Sequence, residues 1–539
     1  MNQSKTGPGV RRLAMRQFGL VAICLLMLLG FLFRDGLPPD RTVFANDGPL
    51  GYISAKCFSG PDLFFGCWQD LNWLGGAGIS PSPTLTAGFG LVTGPLLYSK
   101  SYAPFALLFL GLSAWLCFRQ WKFSPLACLL GSLAATLNSG FFSTACWGAP
   151  TQVAGFGFDF LALAALADQT SPRRWLRVIL AGFAVGMAVM EAFDIGAIFS
   201  VVLAAYVLFQ ALAGEGTASE RLVRGAGRLA MVVAFSALVA ASAVSTLVGT
   251  QIKGIAGTEQ DKGTKQEHWD WATQWSLPKR ETLGLIVPGL FGFRMDTPQG
   301  LSEVLQEHYK GGSYWGACGR DVAWDRYFAS GKQGSPPSGF IRYGGGGSYA
   351  GILVVLIALW TVVQAFRKEN SAFPLAQRKF IWFWSGVALI SVLLGFGRFA
   401  PFYQLFYALP YASTIRNPAK FFHVVEWILV ILFAYGVNGL SRSCFAAPGA
   451  ATRGLSSQLR SWWAKAATFD KNWVRGSAVA LAASLLAWVI YSASSDRLAA
   501  YLQEVRFDSA MASAIAGFSI RQAGLFVLLL TLALGLVAL

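Results

Sequence analysis

The sequence predicts an all-α polytopic membrane protein with about twelve transmembrane helices and two large outer loops, on three observations. Of the 539 residues, 54% are hydrophobic and only 13% charged, whereas soluble domains carry about 25% charged residues. The apolar residues fall in repeated runs of roughly the 17–25 residues that a bilayer requires. Basic residues gather in short clusters between those runs, so the net charge of +16 follows the positive-inside pattern and does not point to nucleic acid.

The expected spans are 17–33, 102–118, 123–143, 152–167, 178–193, 195–213, 229–250, 348–366, 380–397, 422–440, 477–492 and 522–539. The first lacks a small-residue cleavage site before Arg34 and Asp35, so it reads as a retained span. The stretch 178–213 is divided at Glu191 and Asp194, because one continuous helix would bury both carboxylates in lipid. A hairpin there would put them at the membrane surface.

Charge parity orients the chain. With the N-terminus cytoplasmic, the short inner segments hold 22 of the 43 basic residues and only five of the 27 acids. Four regions result: a cytoplasmic N-terminus (1–16), an N-terminal membrane module (17–250) with outer loop 34–101, a large outer loop (251–347) and a C-terminal membrane module (348–539). The sequence stops inside an apolar run with no basic flank, as a truncated module would. Both outer loops are rich in aromatic residues, which argues for order. Trp271 or Trp275 alone, near a span, reads as an interfacial anchor ahead of a sugar platform.

Eight cysteines show no metal-binding spacing. Cys57 and Cys67 share one outer loop, where an oxidising compartment would allow a disulfide. Nucleotide-binding, zinc-protease and serine-hydrolase motifs are missing, and three histidines leave little material for a histidine triad. Gly344 to Gly347 reads as a flexible linker. Any chemistry must rest on carboxylates, Arg and Lys.

Asp47 lies on the turn "NDGPLG" shortly after the first span, where it is either a turn-capping residue or a catalytic carboxylate. Glu191 and Asp194, spaced i, i+3, share a face if helical. Asp159 and Glu426 fall within spans, where ionisable groups default to functional hypotheses; Glu426 can equally pair with His423. In "STIRNPAKFFHVVEW" (413–427), Arg416 and Lys420 precede a span on the outer side, against the usual bias. Two such cations suit a phosphate or pyrophosphate, with headgroup snorkelling as the bland alternative.

"NDGPLG" followed by "LNWLGGAGISPSP", the run "LACLLGSLAATLNSGFFSTACWG" and "STIRNPAKFF" together resemble the YfhO-like bacterial membrane proteins of the GT-C glycosyltransferase superfamily, over roughly residues 17–440. The resemblance implies an inverting sugar transfer from a polyprenyl-phosphate donor on the outer face of the bacterial cytoplasmic membrane. It implies Asp47 as acid/base or metal-associated carboxylate, with Glu191 and Asp194 as further carboxylates and a divalent metal ion as a cofactor to be tested. Arg416 would contact the donor phosphate, with Lys420 and Asn46 beside it. The expected partners are that donor, membrane lipids and an envelope glycan, lipid or protein acceptor. A transporter or flippase of lipid-linked saccharides, and a non-catalytic assembly protein, remain the competing classes.

Overall fold

The first helix, α1 (Pro8–Leu32), opens on a proline, whose fixed φ suits a helix start, and ends in a short 3-10 turn at Arg34–Gly36. The computed structural model describes residues 8–43, 45, 47–51, 53–54, 68–69, 76–77, 84–168, 170–247, 262–293, 312–338, 341, 348–409, 412–444, 463–464 and 466–538. Asn46, Cys57, Cys67 and the glycine run 344–347 lie outside these residues.

Helix α2 (Leu85–Gln120) starts seventeen residues earlier than the apolar run suggests, so the last quarter of the expected first outer loop is helical. Thr84 caps it by accepting from the Ala87 N–H, and a break at Gly94 (φ 72°), just before Pro95, kinks it. The expected span 123–143 is likewise two helices, α3 (Pro125–Thr136) and α4 (Ser139–Trp147), bent by 43°. Asn138 causes the break: its side chain leaves the helix to accept from Gly140 N–H and Phe141 N–H, capping α4.

Helices α5 (Pro150–Leu166), α6 (Arg174–Glu191), α7 (Phe193–Leu212) and α8 (Ala218–Leu247) follow. The division between Glu191 and Asp194 holds: Ala192 is extended (φ −153°, ψ 101°) and separates α6 from α7. The large loop then carries α9 (Lys262–Ala272), a 3-10 segment (Lys279–Leu285) and α10 (Val322–Ala329). The second half of the bundle is α11 (Ile352–Phe366), α12 (Leu375–Gly395), the short α13 (Phe402–Tyr407) and α14 (Phe421–Cys444). Helices α15 (Thr468–Ala493), α16 (Ser495–Glu504) and α17 (Ser509–Ala538) close the described chain. Sheet is limited, among the described residues, to a two-residue antiparallel ladder, Trp68–Gln69 with Gly76–Ala77.

This is an all-α, multi-pass membrane protein. Each of the twelve apolar runs contains helix among its described residues, but among the described residues eight helices are long and apolar enough to cross a bilayer, or nine if the bent α3–α4 pair is one span. Helices α5 and α11 are shorter, and α6 carries Arg174, Arg177 and Glu191 within its 18 residues. The count of twelve is therefore not confirmed.

Helix α14 is the hub. Of its span, 83% is buried, against none of α15. It packs on α3, α11 and α12, while α2 packs on α1, α3 and α5. Close approach depends on small residues: a side chain on Gly436 would collide with Ile357 and Thr361, and one on Gly131 with Phe118.

Candidate functional site

Asp47 reaches the site by backbone docking. Its N–H donates to the carbonyl of Trp147, the last residue of α4, at 2.9 Å. The next residue, Gly148, is left-handed (φ 106°), and a Cβ there would lie 2.6 Å from the Gly48 nitrogen. Two glycines thus let the turn after α1 press on the end of α4.

The cationic segment is fixed with similar precision. Asn417 adopts a left-handed conformation (φ 66°) and its N–H donates to Ala272 O at 2.8 Å; Ala419 N–H donates to Trp275 O at 2.8 Å. Tyr403 adds a hydroxyl donated to Ile415 O at 2.6 Å. Residues 415–420 are therefore laced to the end of α9 immediately before α14 begins.

These two constructions face one cavity of about 430 Å³, within the roughly 300–1,000 Å³ range of small-ligand sites. Asp47, Arg416 and Lys420 all line it, although more than 360 residues separate the first from the others. Asp47 is exposed at the rim. The Arg416 guanidinium lies 4.8 Å over the ring of Trp271. Lys420 forms an ion pair with Asp194 Oδ2, whose other oxygen accepts from the Ile195 N–H. Asp194 thus acts on the cavity through a cation and is not one of the residues lining it.

Glu191 is elsewhere again. It is buried, not at a surface, and accepts hydrogen bonds from the N–H and hydroxyl of Thr86. That partner lies 105 residues away in a stretch expected to be loop, so no local signal announced it. Asp159 is also buried and outside the cavity lining; neither carboxylate oxygen has a hydrogen-bond partner among the described residues.

The large loop supplies walls that sequence reasoning missed. Trp271 and Trp275, expected as anchors, line the cavity. Glu281 lines it too, accepting from the Tyr314 hydroxyl at 2.5 Å and from the Ala317 N–H at 2.8 Å. Burial pushes this carboxyl above its usual range, against the opposing pull of those two donors. The fourth wall is α14 itself. His423 and Glu426 both line the cavity, and the expected pairing is present, with Nδ1 and Oε2 3.4 Å apart.

This set can hold an anion against Arg416 and Lys420 and present carboxylates to a hydroxyl. Among the described residues no three His, Cys, Asp or Glu side chains converge closely enough to hold a metal ion. No protein-family model, curated protein or solved structure matches the chain.

Proposed function

We propose that this cavity transfers a sugar from a polyprenyl-phosphate donor to a cell-envelope acceptor, on the outer face of a bacterial cytoplasmic membrane with the N-terminus inside. The observation that carries the reading is the convergence of Asp47, Arg416 and Lys420 on one cavity. The likeness of "NDGPLG" and "STIRNPAKFF" to YfhO-like members of the GT-C superfamily supports it, because these are the two segments that converge.

In this reading the acceptor hydroxyl attacks the anomeric carbon while its proton passes to Asp47. The bond from that carbon to the donor phosphate oxygen breaks, and the electron pair leaves with the phosphate. Arg416, with its forked guanidinium, and Lys420 neutralise the developing charge. The polyprenyl chain stays in lipid, which suits a site built at the ends of apolar helices.

The test is donor binding. Replacing Arg416 and Lys420 together by Gln is expected to weaken binding of a polyprenyl phosphate more than tenfold, the loss of about 1.5–3 kcal/mol associated with a charged hydrogen bond. Unchanged affinity would reduce both residues to structural cations. Transport of lipid-linked saccharides is the second reading, favoured by Asp159 on α5, which is buried and has no hydrogen-bond partner among the described residues.

A further inference from the structure

Glu426 is held in an unusual way. It is 1% exposed, its Oε2 faces His423, and its Oε1 has no hydrogen-bond partner among the described residues although the side chain lines the cavity. The slot is shaped for it: a Cβ on Gly140, at the start of α4, would sit 2.3 Å from both carboxylate oxygens. A buried carboxylate oxygen left without a donor is costly, so a group that supplies one gains more than it would in water.

A second, independent feature lies in the same cavity. A Cβ on Gly319 (φ 80°) would lie 3.2 Å from three ring atoms of Trp275, so the indole packs directly on bare backbone. Gln274 Nε2 donates to Gly319 O at 3.0 Å, and Ala419 N–H donates to Trp275 O, which fix the ring from both sides in sequence. A rigid indole meets the weakly positive C–H face of a sugar ring with its negative face, at little entropic cost.

We propose that Trp275 and Glu426 form a saccharide subsite, in which a sugar ring lies against the indole and one of its hydroxyls donates to Glu426 Oε1. His423 positions the carboxylate by engaging Oε2. The inference takes from the transfer reading only that this cavity is the substrate site, and it adds which residues read the sugar. A site built around a hydroxyl donor rejects analogues that lack the hydroxyl far more strongly than an apolar pocket rejects a missing methylene.

The experiment uses the full chain in a sugar-free detergent and methyl glycosides of glucose, galactose, mannose and N-acetylglucosamine, followed by saturation-transfer NMR. At least one glycoside is expected to bind. Trp275→Leu and Glu426→Leu should each weaken it at least tenfold. One monodeoxy form of the bound glycoside should lose at least tenfold with the wild-type protein and much less with Glu426→Leu. A cooperative thermal transition like that of the wild type certifies that the variants fold; if Glu426→Leu lacks one, Gly140→Ala, which displaces the carboxylate, replaces it. Failure of every glycoside to bind, or binding indifferent to these substitutions, overturns the subsite. Glycoside binding by a wild-type protein that ignores polyprenyl phosphate instead overturns the transfer reading and keeps the subsite.

Discussion

Asp47 and Lys420 show how differently two charges can serve one cavity. Lys420 is tied to Asp194, so part of its charge is spent before any ligand arrives. Arg416 rests on an aromatic face instead, which leaves its fork of N–H donors for two oxygens of a phosphate. Asp47 sits exposed on a turn whose backbone N–H ties it to the end of α4. Asp47→Asn, nearly isosteric, should therefore leave folding and polyprenyl-phosphate affinity intact while abolishing transfer, as measured with purified protein and donor. Transfer at the wild-type rate would leave Asp47 as a turn residue. These charged positions were legible in the sequence because turn chemistry and an unusually placed basic pair are local signals. The His423–Glu426 pairing was legible for the same reason, since three residues on one helix bring the side chains together. Thr86 as the partner of Glu191, and the ring packing of Trp275 on Gly319, were not, because each depends on chain segments brought together by the fold.

Helix breaks, more than helices, build the site. Asn138 ends one helix and caps the next, Gly148 ends α4 in the left-handed region, and Ala192 divides α6 from α7. Apolar runs reveal helices reliably but smooth over such breaks, which is why 123–143 reads as one span and the start of α2 is hidden behind Gly94 and Pro95. Gly148 gives the sharpest test. Gly148→Ala carries the roughly 1–2 kcal/mol cost of a left-handed L-residue and adds a Cβ 2.6 Å from Gly48 N. Thermal denaturation should show that loss of stability, and transfer should fall at least tenfold because the Asp47 turn must lift away. A stable Ala variant with normal transfer would mean that this docking does not set the carboxylate's position.

The whole molecule is a bundle centred on α14, capped over the cavity by residues from the 262–293 and 312–338 segments. Arg398 and Arg320 both pair with Asp325, the first at 2.6 Å, tying the cap to the turn after α12. Composition and charge parity were enough to read the class of protein, because burial in lipid imposes long apolar runs. The same signals could not reveal the cap, whose polar and aromatic residues follow no single period. Orientation is checked by labelling. Cysteines introduced at 262 and 332 should react with impermeant reagents from outside the cell, and one at 455 should not. Labelling of 455 from outside would invert the assignment of faces and, with it, the side on which the cavity opens.

The cap also has anchors near the end of the described chain. Trp315 Nε1 donates to Ser519 Oγ at 3.0 Å, and the core around Trp315 and Phe291 is completed by Leu502, Val505, Phe507 and Ile515. During synthesis, the segments bearing Asp47 and Arg416 leave the ribosome well before these anchors exist. The wall that carries Trp275 and Glu281 gains its full support only once α16 and the first turns of α17 have been made. A nascent chain therefore holds its charged groups for a period before the cavity has its full set of walls, and α16 and α17 set when that wall is first braced.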